Sequence, residues 1–145
     1  MNPSSSDVGG WESSEMRTFV NGELFNALPS ELQAVIKPVS KISDSSKVLV
    51  TTTDKLWLAS FNEVGFTDGK NNLTGQGELY SAVFSSDKES RKKYITDDTD
   101  SGGWWLRSTY YTTSSNTMFW RVQTSGASYG DIQSGKFYVA FGFCI

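Results

Sequence analysis

The aromatic residues of this 145-residue chain are concentrated near its C-terminal end. Of 20 Phe, Tyr and Trp side chains, 11 fall within the last 42 residues, which begin at Trp104. Aromatic side chains bury large apolar areas, so this third of the chain must supply much of the core. Gly126, Gly130 and Gly135 interrupt the segment as turn residues do. The pattern predicts a sheet built mainly from the C-terminal third.

Three strands are predicted in this segment, over residues 104–108, 118–124 and 137–144. In the second, Trp120 and Val122 alternate with Phe119 and Arg121, as on a strand with two distinct faces. The third segment has large apolar residues on one face and small ones on the other, which predicts a central strand. Its Cys144, the only cysteine, is predicted to be a buried small hydrophobe.

Two short helices are predicted before the sheet. Ser13 is placed to cap the first, and Asn21-Gly22 predicts its end. The second begins at Pro29-Ser30 and ends before residue 38, a proline. Helices early and antiparallel strands late indicate an α+β domain over residues 9–145, preceded by a polar leader over residues 1–8.

The middle of the chain carries weaker signals. Residues 55–59 predict a buried strand, and the Ser60 and Glu63 that follow have the spacing of a helix-capping box. Residues 43–46 and 51–53 are polar and are predicted to be surface connections. A weakly patterned helix is predicted over residues 78–84.

The composition excludes several kinds of chemistry. With no histidine and one cysteine, the chain has no Ser-His-Asp or Cys-His catalysis, histidine-ligated metal or internal disulfide. Its net charge of -3 opposes nucleic-acid binding. No cofactor is predicted. The charged runs at 88–93 and 97–100 are predicted to be solvated surface, with a cation site at the second run as the alternative.

The chain has no segment that predicts a membrane span, because no window approaches about 18 consecutive apolar residues. Its first residues lack the basic start and apolar stretch of a signal peptide. The abrupt opening at Gly9-Gly10-Trp11 suggests a module of a larger protein.

Two segments, 109–117 and 125–134, have the composition of adaptable binding loops. They combine tyrosine with Ser, Thr, Gly and Asn, which supply rigid contact area and small hydrogen-bonding groups. The predicted contact face comprises Tyr110, Tyr111, Ser114, Asn116, Phe119, Arg121, Tyr129 and Asp131. Two polar hairpin connections are an equally open interpretation.

Six residues in apolar surroundings are predicted to be structural: Trp11, Arg17, Trp57, Trp104, Arg107 and Trp120. Each arginine must satisfy five donors, so Arg17 and Arg107 are predicted to bind carboxylates or carbonyls and to tie the helices to the sheet.

Five ordered blocks of the sequence resemble a known family. They are GGWESSEMR from residue 9, LP from 28 with IKPV from 36, DKLWLAS from 54, WWLRS from 104 and VAFGFCI from 139. Together they resemble a family of bacterial and prophage-encoded domains over residues 9–145.

The resemblance implies a C-type-lectin-like fold, related in layout to formylglycine-enzyme-like proteins and to retroelement-diversified ligand-binding proteins. It also implies that the C-terminal loops are the most variable part of the family, and that the parent protein is displayed on a bacterial surface or phage particle. The chain departs from these relatives at three points. Ala140-Phe141 replaces an Arg-Pro pair, and both the proline-containing calcium loop of lectins and the copper-binding cysteine pair are missing.

The leading hypothesis is therefore a non-catalytic module that binds a protein or glycan ligand on a cell surface. A structural or assembly domain of a surface or virion protein is the alternative. A glycan hydrolase using carboxylates such as Glu63 and Asp131 is favoured least, because no spacing singles out a catalytic pair.

Overall fold

The computed structural model describes residues 1, 8–45, 47–67, 72–94, 101–111, 118–132 and 134–145. Its helical elements are α1 (Glu15–Phe19), a π-helical turn (Val20–Leu24), α2 (Ser30–Val35) and a 3-10 turn (Glu89–Arg91). The strands are β1 (Val39–Ser45), β2 (Val48–Asp54), β3 (Trp57–Leu58), β4 (Lys93–Tyr94), β5 (Ser101–Gly102), β6 (Trp104–Tyr110), β7 (Met118–Val122), β8 (Ser128–Asp131) and β9 (Phe141–Gly142).

The described strands pair in small antiparallel sheets. β1 and β2 form a long hairpin, β3 pairs with β9, β4 pairs with β5, and β6, β7 and β8 form a three-stranded sheet in that order. The domain is thus α+β, with two helices early and its largest sheet in the C-terminal third.

The first helix begins one residue later than predicted and does not stop at Asn21-Gly22. The Ser14 side chain, not that of Ser13, accepts a hydrogen bond from the Arg17 amide at 3.1 Å. The chain then continues through a π-helical turn, where the Asn21 side-chain amide bonds across the fold. Its oxygen accepts from the Leu56 amide at 3.0 Å, and its nitrogen donates to the Leu56 carbonyl at 2.8 Å.

Among the described helices, none is long and apolar enough to cross a membrane.

The polar stretches predicted to be surface connections lie mostly inside β1 and β2. Ile42 pairs with Thr51 and Ser43 with Val50, so residues 43–45 and 51–53 belong to the hairpin. Their inward side chains are polar yet buried, including Asp44 and Thr52. The prediction was wrong because buried polar side chains with distant partners leave no apolar alternation in the sequence.

The C-terminal segment is not the central strand that was predicted. Only Phe141–Gly142 is a strand, and it pairs with β3. Before it, Tyr138 bridges Trp104 in a parallel sense, so the segment runs from one sheet to another. Cys144 is exposed rather than buried, although its carbonyl accepts a hydrogen bond from the Lys37 amide at 2.9 Å. The closely spaced apolar residues of this segment lie along the edges of two sheets. A period-two sequence pattern does not distinguish this arrangement from one buried strand.

The helix predicted over residues 78–84 is a series of turns, and the capping box forms without a helix. The Ser60 amide donates to Glu63 Oε2 at 2.8 Å, and the Glu63 amide donates to Ser60 Oγ at 3.1 Å. The reciprocal bonds close a turn over residues 61–65. The motif therefore indicates the local hydrogen bonds correctly but not the element that follows.

The core consists of two clusters on opposite faces of the three-stranded sheet of β6, β7 and β8, which we call the central sheet. β6 sends Trp105 to one cluster and Trp104 to the other, and β7 does the same with Phe119 and Trp120. Because both faces of these strands are buried, neither face of β7 remains open as a ligand platform at those positions.

Candidate functional site

A buried ion pair joins four segments of the fold. Arg107 is completely buried on β6, and its guanidinium binds both carboxylate oxygens of Glu63, with Nη2 2.9 Å from Oε1. The same group donates to the carbonyls of Leu58 at 2.7 Å, Ile42 at 3.0 Å and Gln76 at 2.9 Å. Arg107 thus ties β6 to β1, β3 and the turn-rich middle of the chain.

Glu63 is occupied by hydrogen bonds and charge. Besides Arg107 and the Ser60 amide, it accepts from the Tyr80 hydroxyl at 2.6 Å and lies 3.6 Å from the Lys41 ammonium. Burial alone would raise the pKa of Glu63, but the hydrogen bonds and charge of Arg107 outweigh burial and hold that pKa below its usual value. This carboxylate is an anchor for cations and has no lone pair left for acid–base work.

A second buried carboxylate holds Tyr111. Asp44 accepts from the Thr109 amide at 2.9 Å and from the hydroxyls of Thr109 and Tyr111. Burial raises the pKa of Asp44, and these hydrogen bonds only partly offset it. Tyr111 also accepts from the Lys47 amide at 2.9 Å, so its hydroxyl is committed to the β1–β2 hairpin.

Arg121 on β7 and Asp131 on β8 form an ion pair, and two aromatic rings lie beside the Arg121 guanidinium. Arg121 Nε lies 2.9 Å from Asp131 Oδ2, and the guanidinium lies 5.0 Å from the ring centre of Tyr129 and 4.1 Å from that of Phe137. Tyr129 is half exposed and forms the outer layer of the stack. These residues could offer a ligand one aromatic face, but both charges are already paired.

The eight predicted contact residues do not form one face. Phe119 is fully buried in the core and is removed from the set, because both faces of β7 are covered. Tyr110 packs edge-on against Trp120 at 4.5 Å, and a Cβ at Gly130 would lie only 2.4 Å from its ring. Ser114 and Asn116 lie outside the described residues.

Two tyrosines of the predicted face are expected to differ sharply in a stability measurement. Tyr110→Ala should lower the free energy of unfolding by about 2–3 kcal/mol, because its ring packs on Trp120 and Gly130. Tyr129→Ala should cost less than about 1 kcal/mol, because its ring is half exposed. Urea denaturation measures both; equal losses would contradict the assignment of Tyr110 to the core.

The residues predicted to be structural lie at the cores and at their edges. Trp11 is fully buried and donates from Nε1 to Asp54 Oδ2 at 3.0 Å, while Arg17 Nε reaches Asp54 Oδ1 at 2.6 Å. Trp104 donates from Nε1 to the Arg91 carbonyl at 3.0 Å. Trp57, Trp120 and Arg107 are buried as well.

An aromatic groove lies elsewhere, and we define it as two adjoining cavities that share Lys93, Trp104 and Ala140. Their volumes are about 170 and 350 Å³. Half of the fourteen lining residues are aromatic: Trp57, Tyr80, Phe84, Tyr94, Trp104, Tyr138 and Phe141. Buried indoles form its floor, and half-exposed tyrosines form its rim. Such concave, largely apolar sites are typical of ligand pockets.

Five separate stretches of chain build the aromatic groove. They are residues 57–59 with β3, residues 80–84 of the segment that was predicted to be helical, β4, residues 102–104 of β5 and β6, and residues 138–142 of the C-terminal segment. Gly142 lets the C-terminal strand lie on the Trp57 ring, since a Cβ there would be 3.3 Å from it. The pairing of β9 with β3 therefore supplies part of the lining of the smaller cavity.

A larger depression of about 540 Å³ lies beside α1. It is open, and its lining combines Glu15 and Glu23 with Met1, Met16 and Phe19. Of its seven lining residues, two are methionines and only one, Phe19, is aromatic, so the aromatic groove is the more aromatic of the candidate ligand sites.

The comparison with protein-family models identifies the chain. The model of the domain of unknown function DUF6273 matches residues 1–142, nearly the whole sequence. The chain belongs to the DUF6273 family. No curated protein and no solved structure matches it.

The described part of this DUF6273 domain holds no cluster of metal-ligating side chains. Among the described residues, no three Asp, Glu or Cys side chains lie close enough together to hold a metal ion. The acidic run at 97–100, which was the alternative cation site, lies outside the described residues.

Sequence reasoning misplaced two basic residues of the DUF6273 domain. Arg91, placed in a solvated charge run, is buried: its guanidinium donates to the Gly126 carbonyl at 3.1 Å and lies 4.3 Å from the Phe66 ring centre. Lys93 of the same run lines the aromatic groove, with Nζ 5.0 Å from the Phe84 ring centre. The available signal was the pair of aromatic residues that bracket this basic run, at 84 and 94.

Proposed function

We propose that this protein is a non-catalytic ligand-binding module and that its ligand occupies the aromatic groove. The observation that carries the proposal is the groove itself: seven aromatic side chains from five stretches of chain line two adjoining cavities. Stacking on aromatic rings supplies contact area at low conformational cost, which suits recognition rather than reaction.

The carboxylates support a non-catalytic role. Glu63 is saturated by Arg107, Tyr80 and the Ser60 amide, and Asp131 is paired with Arg121. Neither carboxylate lines the aromatic groove. A hydrolase of the two-carboxylate type needs one free acid and one free base facing a substrate, which these residues do not provide.

The C-type-lectin-like fold is part of the same proposal. The resemblance implies two helices early and an antiparallel sheet late, and the observed order of elements supports it, although the C-terminal strand pairs with β3 and not within the late sheet. With the sequence resemblance, this arrangement supports a recognition domain carried by a bacterial surface or phage protein, with a protein or glycan ligand.

Blocking the groove tests the function. Val83 lines it and is 57% exposed, so Val83→Trp should fill the entrance without disturbing the core. On an array of glycans and bacterial surface proteins, we expect the wild type to bind and Val83→Trp to lose at least about tenfold in affinity, the equivalent of about 1.4 kcal/mol.

Val35→Trp is the matched control, because Val35 is 49% exposed on α2 and lines no part of the groove. It should bind like the wild type. Equal binding by all three proteins would place the ligand outside the groove and refute this site.

A further inference from the structure

The charges around the aromatic groove are positive, although the chain as a whole carries a net charge of -3. Lys93 is the one charged side chain among the described residues that line either cavity. Its ammonium lies 5.0 Å from the Phe84 ring centre and 6.0 Å from the Trp104 ring centre. The rings thus hold the cation at the wall that both cavities share.

A second cation lies close to two rings that line the groove. The Lys41 ammonium is 4.2 Å from the ring centre of Trp57 and 2.5 Å from the Tyr80 hydroxyl, and both rings line the groove. Its nearby carboxylate, Glu63, is shared with Arg107, so two cations face one buried anion. Glu78, on the far side of this cluster, is exposed to solvent.

The groove is therefore electrostatically suited to an anion. A cleft with low-dielectric walls concentrates the field of the charges that line it, so one lysine there acts more strongly than one on open surface. The aromatic walls at the same time favour a ring with an apolar face. The acidic run at 97–100 lies outside the described residues, and this charge balance covers the described part of the chain.

We propose that the ligand of the groove is an anionic ring compound, whose ring packs against the aromatic walls and whose carboxylate or sulfate binds the Lys93 ammonium. This proposal rests on the proposed function and narrows its ligand class. The shared chemistry has two sources, acidic sugars and aromatic acids, and both place a ring with an apolar face next to one negative charge.

Matched pairs of probes test the charge separately from the ring. Galacturonate is compared with galactose, and benzoate with benzyl alcohol, by calorimetric titration or ligand-observed NMR of the full chain. We expect the acid member of at least one pair to bind about tenfold more tightly than its neutral partner. The responding pair identifies the sugar or the aromatic source. The preference should shrink in high salt.

Lys93→Gln should reduce that preference to less than about twofold, because it removes the charge that distinguishes the acid from its neutral partner. Lys88→Gln is the control, because it removes the same charge five residues away, on an exposed side chain that lines neither cavity. Circular dichroism confirms that both variants are folded.

The outcomes separate this proposal from the proposed function. A neutral member that binds as well as its acid, or a preference that survives Lys93→Gln, overturns the anionic ligand and leaves the groove as a binding site. If no probe binds the wild type differently from Val83→Trp, the groove is not a ligand site, and both proposals fail.

Discussion

Arg107→Met is expected to lower the free energy of unfolding by about 3–5 kcal/mol, since removing one partner of a buried ion pair leaves the other charge uncompensated. Glu63 would lose its main cation, and the carbonyls of Leu58, Ile42 and Gln76 would lose their donor. Urea or guanidinium denaturation followed by tryptophan fluorescence measures the change. A loss of this size consumes a large fraction of an ordinary domain's stability.

Arg17→Met is the matched control for this substitution. Arg17 also pairs with a carboxylate, Asp54, but its side chain is 29% exposed. Solvent reaches the Arg17 guanidinium, and the buried Asp54 carboxylate keeps its hydrogen bonds from Trp11 and Thr52, so we expect a smaller loss of about 1–2 kcal/mol. Comparable losses of stability in the two variants would contradict the conclusion that Arg107 ties β6 to β1, β3 and the turn-rich middle of the chain.

The double variant Arg107→Met/Glu63→Met isolates the ion pair from the carbonyl contacts. Replacing both charges removes the stranded carboxylate, so the double variant should be more stable than the sum of the single changes predicts, by about 1–3 kcal/mol. Strict additivity would show that Arg107 acts through the carbonyls alone.

Gly10→Ala has the second large expected effect. Gly10 has φ +54°, and a Cβ there would lie 2.0 Å from the Asp44 carbonyl oxygen, a backbone atom of β1. The left-handed conformation and the clash together should cost about 2–5 kcal/mol, because neither the GGW turn nor β1 can yield without losing its contacts. Thermal or chemical denaturation measures it.

Gly22→Ala is the opposite case in the same region. Gly22 lies within the π-helical turn, and no atom lies within 4 Å of the position of its Cβ. Alanine restricts the unfolded chain there without a clash, so stability should rise by about 0.5–1 kcal/mol. If Gly10→Ala and Gly22→Ala changed the free energy of unfolding in the same direction, that result would contradict the packing described for Gly10.

The outcome of sequence reasoning depended on the range of the interaction involved. The Ser60–Glu63 box and α2 rest on contacts within a few residues, and both are present in the structure. Errors arose where a distant partner decides. Asp44 lies in a strand and is buried because it binds Thr109, 65 residues away. Cys144 is exposed because its segment pairs with β3 instead of entering the central sheet.

The candidate site shows the same limit. Tyr110 and Phe119 are residue types expected on a contact face. In the structure, Tyr110 packs against Trp120, and Phe119 lies in the core cluster that contains Trp105. Lys93 looked like solvated surface and instead lines the groove. Composition reports what a side chain can bind, whereas its exposure depends on which segments fold against it.

By itself, the sequence determined that this is an α+β domain with aromatic packing in its C-terminal third and no histidine or disulfide chemistry. Only the tertiary structure decided which polar residues are buried, where the C-terminal segment pairs and where the aromatic groove opens. The physical reason is that periodicity and capping reflect energies between near neighbours in sequence. A groove made from five stretches of chain depends on contacts between residues as far apart as Trp57 and Gly142, which no local pattern encodes.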